Sequence, residues 1–336
     1  MVAIHYAKSE RRWLAMPGFR PRQRATIDEM SDELLTWHHD GLAAWEKARH
    51  EDSRVMLRSL RGFIDAGHAG AILTAHVLED AEPVRVATFD VDRLLDYRSR
   101  RPEMVFSVNA WTSYDEPYLQ VDMVRDAAGT PFLLLHGFEP DILWERFIAE
   151  ARSVVERTGV TLTVAAHGIP MASPHTRPIG ATLHGTRPDL LPDVANFFST
   201  ITVPGAASNL MEYRFGQWGL DAATVAVHVP HYLAQSSYPQ ATVRAMESLQ
   251  ALSGLRLDPA ALDEACASAS EEIDRQMGES DDVQALVTAL EAQYDAFVES
   301  REKVFPLGGS LPTADELGAE FEKFLADRGR DFPGLP

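Results

Sequence analysis

Four short stretches carry side chains that could do chemistry. In Gly62-Phe63-Ile64-Asp65-Ala66-Gly67 a carboxylate sits at the end of a strand-like run and just before a helix-like one. Ligands of open α/β sheets bind outside such carboxyl ends, which makes Asp65 a candidate base and Gly67 a candidate backbone contact. The same carboxylate can cap the helix that follows, and the local sequence favours that structural role. In Glu139-Pro140-Asp141 two acids flank a second helix start, where negative charge is stabilised with or without a function. Pro174-His175-Thr176-Arg177-Pro178 holds an imidazole, a hydroxyl and a guanidinium between prolines that keep the backbone extended. Such a loop suits an anion or a carbonyl group, or a buried ion pair with Asp65 or Glu139. Pro230-His231-Tyr232 brings two more polar rings to a strand end, for ligand contact, packing or a subunit contact.

Other chemistries lack their signatures. There is no GxSxG nucleophile elbow, no GxxxxGK[ST] phosphate loop and no HExxH pair. GHAG at 67–70 lacks the third glycine of a dinucleotide fingerprint. His228 and His231 are separated by Pro230, which breaks the helix a metal pair would need, and adjacent His38 and His39 point apart. The single cysteine, Cys266, lies among small residues in a helical run and reads as an inert thiol. No cofactor and no metal is expected.

The elements that would position these residues alternate between strand and helix. Val55, Met56 and Leu57 lead a strand into the Asp65 turn, and residues 69–80 show helical spacing. Strand-like runs follow at 84–89, 104–111, 118–124 and 131–137; Phe132-Leu133-Leu134-Leu135 is apolar throughout, as a strand covered on both faces must be. Residues 139–159 form a helix with Pro140 suited to its first position, a stripe of Trp144, Ile148, Ala151 and Val155, and Gly159 as its stop. A strand at 160–168 completes a parallel strand–helix–strand unit. A strand at 223–230 and a helix at 239–254 come next, and from Asp258 the texture is wholly helical, with a final helix expected at 312–329. Near the start, Ser31 is expected to cap a helix carrying Leu34, Leu35, Trp37, Leu42 and Trp45. The organisation expected is an arm and helix at 1–50, an α/β core at 51–254 and a C-terminal helical domain at 255–336.

Composition bounds the partners. The 336 residues are 45% hydrophobic and 24% charged, as in a folded globular protein, and the formal net charge is -19. From Asp258 onward there are 19 acidic and 6 basic residues. Such a chain is repelled by nucleic-acid phosphates and anionic membranes, and the run Arg98-Ser99-Arg100-Arg101 is too short to reverse that. No stretch approaches the 18 apolar residues of a spanning helix, and the first residues lack the apolar segment of a secretory signal. A cytoplasmic location is expected.

Several of these pieces, in this order, resemble the bacterial, actinobacterial-type branch of the proteasome assembly chaperone 2 family, sometimes filed as an ATP-grasp-like superfamily. They are the DAG turn at 65–67, LLDYRSRRP at 94–102, EPDILWERF at 139–147, PHTRP at 174–178 and PHYLAQSSYPQAT at 230–242. The resemblance runs from about Ser53 to Gly254 and on through the helical tail. Phe63 and His68 depart from the tryptophan and second acid common there. The resemblance implies a three-layer phosphorylase/hydrolase-like α/β core with a mixed, mainly parallel sheet, and a C-terminal all-helical lid over a pocket. It also implies a homotrimer associated with a β-hairpin insertion, for which the runs at 104–111 and 118–124 are the candidate strands. Eukaryotic relatives dock on proteasome rings through a hydrophobic-Tyr-X tail; the sequence here closes on Phe332-Pro333-Gly334-Leu335-Pro336, without that tyrosine.

Two functions follow. The first, and favoured, is a non-catalytic binding or assembly protein, a trimer holding a small-molecule ligand or a protein partner between core and lid. The alternative is a hydrolase or nucleoside-phosphorylase-like enzyme in which Asp65 or Glu139 is the base, His175 the acid or orienter and Arg177 the anion contact. That scheme requires Asp65, His175 and Arg177 around one cavity. Ligand-binding residues are expected among Asp65, Gly67, Glu139, His175, Thr176, Arg177, His231 and Tyr232.

Overall fold

A computed structural model describes residues 33–49, 54–79, 81–191, 200–279 and 281–304. The apolar runs form strands β1 (Leu35–Trp37), β2 (Val55–Arg61), β3 (Val84–Phe89), β4 (Met104–Ser107), β5 (Ala110–Tyr114), β6 (Leu119–Arg125), β7 (Pro131–Phe138), β8 (Leu162–Met171), β9 (Ala181–Gly185) and β10 (Asp221–Pro230). The helices are α1 (His39–Ala48), α2 (Ala69–Glu79), α3 (Val91–Leu94), α4 (Trp144–Thr158), α5 (Ala207–Gln217), α6 (Pro239–Ser253), α7 (Asp263–Gly278) and α8 (Asp281–Val304). Eight strands make one sheet in the order β1-β3-β6-β7-β2-β8-β10-β9. β7, β2, β8 and β10 run parallel at its centre; β6, β3 and β1 on one side and β9 on the other join antiparallel.

The period of two along a strand divides the core. Leu57, Leu134, Val164 and Val227 face α2 and α6, packing with Leu73, Ala241, Ala245 and Leu249. Met56, Leu133, Leu135 and Val121 face the other way, onto α1, α4 and α5 through Trp45, Phe147, Ile148, Val155 and Phe215. This is the expected three-layer arrangement. In α4 the buried stripe is Phe147, Ile148, Ala151, Val154, Val155 and Thr158, and Gly159 takes the left-handed φ of 71° that ends the helix. The Trp45 indole and the Arg49 guanidinium both donate to the Thr158 carbonyl there, at 2.9 and 2.8 Å.

The start of the chain differs from expectation. Leu35–Trp37 is an edge strand paired with Phe89–Ala87, and the helix begins only at His39. The Val86 carbonyl accepts the His38 N–H and the Leu34 carbonyl accepts the Asp90 N–H, so pairing with β3 outweighs helical spacing. Ser31, and the helix expected at 312–329, lie outside the described residues.

The hairpin is also placed differently. Its strands are β4 and β5, turning at Val108-Asn109, while the 118–124 run becomes β6 of the main sheet. The 104–111 run therefore contains a turn of its own, with Val108 at φ 57°. In α4, the helix starts at Trp144 after Leu143 at φ 56°, so Pro140 precedes it. Beyond Gly254, residues Leu255, Leu257, Leu262 and Ile273 join the core of the α2/α6 face. The helical tail thus continues that core.

Candidate functional site

The parallel strands β2, β7, β8 and β10 end together, and the chain around their carboxyl ends is where Asp65 and Glu139 fall. Asp65 is a helix cap. Its Oδ1 accepts the Gly70 N–H at 2.8 Å and the Gly168 N–H at 3.2 Å, and its Oδ2 accepts the Ala71 N–H at 3.0 Å. It therefore fixes the first turn of α2 against β8. Gly67 adopts φ 68°, donates its N–H to Ala234 and accepts the Tyr238 N–H, which stitches the 65–68 turn to the loop after β10. Its backbone groups are spent there.

Glu139, 4% exposed, is likewise structural. Its Oε1 accepts the Ala207 N–H at the start of α5, and its Oε2 accepts the Phe63 N–H at 3.1 Å. The expected role beside its own helix is thus replaced by a cap on a different one. Asp141 turns away to accept the Asp96 N–H and to pair with Arg100 at 2.9 Å.

The 174–178 loop, which follows β8, is held by α8. Arg177 lays Nε and Nη2 on the two carboxylate oxygens of Asp295, both at 2.7 Å, with Nη1 3.2 Å from Glu291. Thr176 donates to Glu291 as well. The buried pair with Asp65 or Glu139 is absent; the partners are acids of α8. The Tyr232 hydroxyl accepts the His175 backbone N–H at 2.9 Å and is hydrogen-bonded to His175 Nδ1 at 2.7 Å. Burial lowers the His175 pKa and raises that of Tyr232. His231 is exposed, its ring edge-on to Tyr232. Asp65 and Glu139 border the space at the strand ends, whereas His175, Thr176, Arg177, His231 and Tyr232 do not. In the cleft at the strand ends Asp65 stands without His175 and Arg177, which are held by Tyr232 and by acids of α8.

That space is a cleft of about 810 Å³ with a narrow inner recess of about 40 Å³. Phe63, Ile64, His167 and Asn209 line both parts. Beneath the recess is a buried polar cluster that the motif reading missed. Arg58 of β2, 1% exposed, donates to Ser208 O and Thr224 Oγ1, both at 3.3 Å, and pairs with Glu212 of α5 at 3.6 Å. Glu212 also holds His184 of β9 at 2.6 Å and accepts from Thr224. Burial lowers the Arg58 pKa; burial opposes ionisation of Glu212, but His184 and Arg58 more than compensate and hold it below the usual carboxylate range. The sequence did carry a signal for this: Arg58 interrupts the otherwise apolar Val55-Met56-Leu57 run. Among the described residues no cluster of three or more His, Cys, Asp or Glu could hold a metal, and no helix is long and apolar enough to cross a membrane.

The comparisons with known proteins agree with this architecture. A Mycobacterium tuberculosis protein of unknown function, Rv2714, is 42% identical, with a TM-score of 0.75, 82% of this chain and 95% of that one covered. A Corynebacterium glutamicum protein of unknown function is 34% identical, with a TM-score of 0.74 and coverages of 80% and 98%. The M. tuberculosis proteasome-assembly chaperone homologue Rv2125 shares the fold at 20% identity, with a TM-score of 0.63 and coverages of 69% and 99%. No curated protein matches. A family profile matches residues 59–277, and the chain belongs to the PAC2 family.

Proposed function

We propose that this protein is a non-catalytic assembly protein that works as a homotrimer and docks protein partners. The observation that carries the reading is the β4–β5 ribbon. Every residue of both strands is exposed. Met104 and Phe106 pair across the ribbon with Tyr114 and Trp111, which gives it an apolar face, and the Phe106 and Trp111 rings meet edge-on at 5.1 Å. Trp111 is 64% and Val108 95% exposed. A lone two-stranded ribbon is marginal in water, and a contiguous apolar patch of this kind marks an interaction surface. A second and third copy of the chain supply the cover.

Membership of the PAC2 family supports an assembly role. The saturation of Asp65 and Glu139 by backbone N–H groups supports the absence of a general base. No nucleotide enters this reading, despite the ATP-grasp-like filing: Arg58 faces the cleft already paired to Glu212. The docking of α8 on the 174–178 loop supports a helical cover over this end of the core, and a protein partner is the ligand class proposed for the assembly.

Light scattering of the full chain tests the proposal. The expected mass is three times 37.2 kDa, falling to one chain in the double variant Phe106→Ser/Trp111→Ser with unchanged circular dichroism. A monomeric wild type at about 50 μM, a concentration well above the Kd of specific interfaces, overturns it.

A further inference from the structure

The cleft at the strand ends keeps hydrogen-bonding groups that the fold leaves unspent. The carboxylates of Asp65 and Glu139 accept five backbone N–H groups between them. His167 and Asn209, by contrast, make no side-chain hydrogen bond among the described residues, and both line the inner recess and the outer cleft. Behind them the buried Arg58 Nε has no acceptor. A buried donor without an acceptor is unfavourable, and one lining a recess points to an absent acceptor. The walls carry Ile64, Ile169, Met171 and Ala226 beside Thr182, His184 and Gln235, with Phe63 and Val203 exposed at the rim.

Charge narrows the ligand. Glu139 borders the recess and Asp65 the outer cleft, and the Arg58 charge is matched by Glu212 behind it, so a phosphate or carboxylate meets net negative charge. A cation finds carboxylates already engaged and loses its hydration without a dedicated partner. An uncharged group remains. Loss of hydration holds the His167 pKa down to about 4, so at neutral pH its ring offers one donor and one acceptor, and the Asn209 amide offers an NH2 and a C=O. Such a pair matches a ligand edge with an N–H and a C=O side by side.

We propose that this cleft binds an uncharged amide ligand, a carboxamide or lactam on a flat apolar body, with Asn209 and His167 holding the polar edge and Phe63, Ile64, Met171 and Val203 the body. The site is independent of the assembly reading, since it uses neither the β4–β5 ribbon nor the 174–178 loop.

Isosteric pairs test it. Full-length protein with ring-labelled histidine is titrated with benzamide and nicotinamide, and separately with benzoate and nicotinate, following the His167 ring signals by NMR. The amides are expected to saturate with a Kd of about 1–10 mM, and the carboxylates to bind at least about 10-fold more weakly. Asn209→Ala and Phe63→Ala, both at side chains not needed for packing, are expected to weaken the amides about 5-fold or more, with thermal melting unchanged. Amides that fail to saturate, carboxylates that bind as tightly, or variants that bind amide as the wild type does each overturn the proposal.

Discussion

Arg177 and Asp295 form a two-bond fork, Nε and Nη2 each 2.7 Å from one carboxylate oxygen, and it ties the loop after β8 to α8 more than a hundred residues away. Thr176 and Arg177 also reach Glu291, and Tyr294 reaches the Pro178 carbonyl at 3.4 Å. The pairs are solvent-accessible, so salt screens them. Replacing Arg177 by Ala is expected to lower hydrogen-exchange protection across α8 while leaving the β2 and β7 amides unchanged. The fork lowers the Asp295 pKa. Its contribution is therefore complete at neutral pH and fades as pH falls below the ordinary aspartate range of about 4. If α8 protection is the same in wild type and variant at low salt, the fork does not hold the helix.

The Glu139 carboxylate joins two elements through the Phe63 and Ala207 N–H groups. Glu139→Ala leaves the buried Ala207 N–H and the part-buried Phe63 N–H without an acceptor and is expected to cost about 1–3 kcal/mol. Glu139→Gln keeps one acceptor oxygen and is expected to cost less. Gly62→Ala should resemble Glu139→Ala, because a Cβ at residue 62 would stand 2.0 Å from the Glu139 carboxylate oxygen. Urea denaturation of the three variants checks the order. A Glu139→Ala variant as stable as wild type would show that the bridge is dispensable.

How much of this was legible follows from where each interaction partner sits in the chain. β7 and β8 could be read directly, because a strand covered on both faces carries a near-continuous apolar run, here Phe132–Leu135 and Val164–Ala166. The stop of α4 at Gly159 is local and was legible too. Leu35–Trp37 was not, since its strand state depends on pairing with Phe89–Ala87, some fifty residues on. The Asp65 cap was visible as a local option; the Glu139 cap was not, because its helix begins at Ala207. Arg177 could be recognised as a fork for a carboxylate, but choosing Asp295 over Asp65 or Glu139 required the packing of α8. The cleft is the least legible feature: His167 and Asn209 have no motif, and only the parallel order of the strands brings them together.

Arg58 and Glu212 form a buried pair at 3.6 Å between β2 and α5. Removing one partner leaves the other buried without its counter-charge, at a cost of about 3–5 kcal/mol. Arg58→Met and Glu212→Leu are each expected to destabilise by that order. The double variant should recover much of the loss, because it removes both desolvation penalties together. Additive losses in the double-mutant cycle would mean that Arg58 is held by the Ser208 carbonyl and Thr224 rather than by Glu212.

Two histidines, buried His228 and half-buried His167, set the response to mild acid. His228, 5% exposed with Nε2 2.8 Å from Thr182 Oγ1, has its pKa lowered from 6.5 to about 4 by burial and by nearby Arg244. His167 falls to about 4 chiefly through burial, with His184 and Arg58 adding to it and Asp65 and Glu212 opposing it. In the unfolded chain both rings take a proton below about pH 6.5, while the folded protein excludes it until about pH 4. Each histidine therefore contributes stability that is complete above about pH 6.5 and declines as pH falls, by at most about 1.4 kcal/mol per pH unit. Between pH 6.5 and 5, where few carboxylates titrate, unfolding free energy from urea melts is expected to drop steeply in wild type. His228→Gln keeps a polar partner for Thr182 and cannot titrate, so its curve should be shallower, and His167→Gln should act in the same direction. Parallel curves for wild type and both variants would exclude these rings as the source of acid sensitivity.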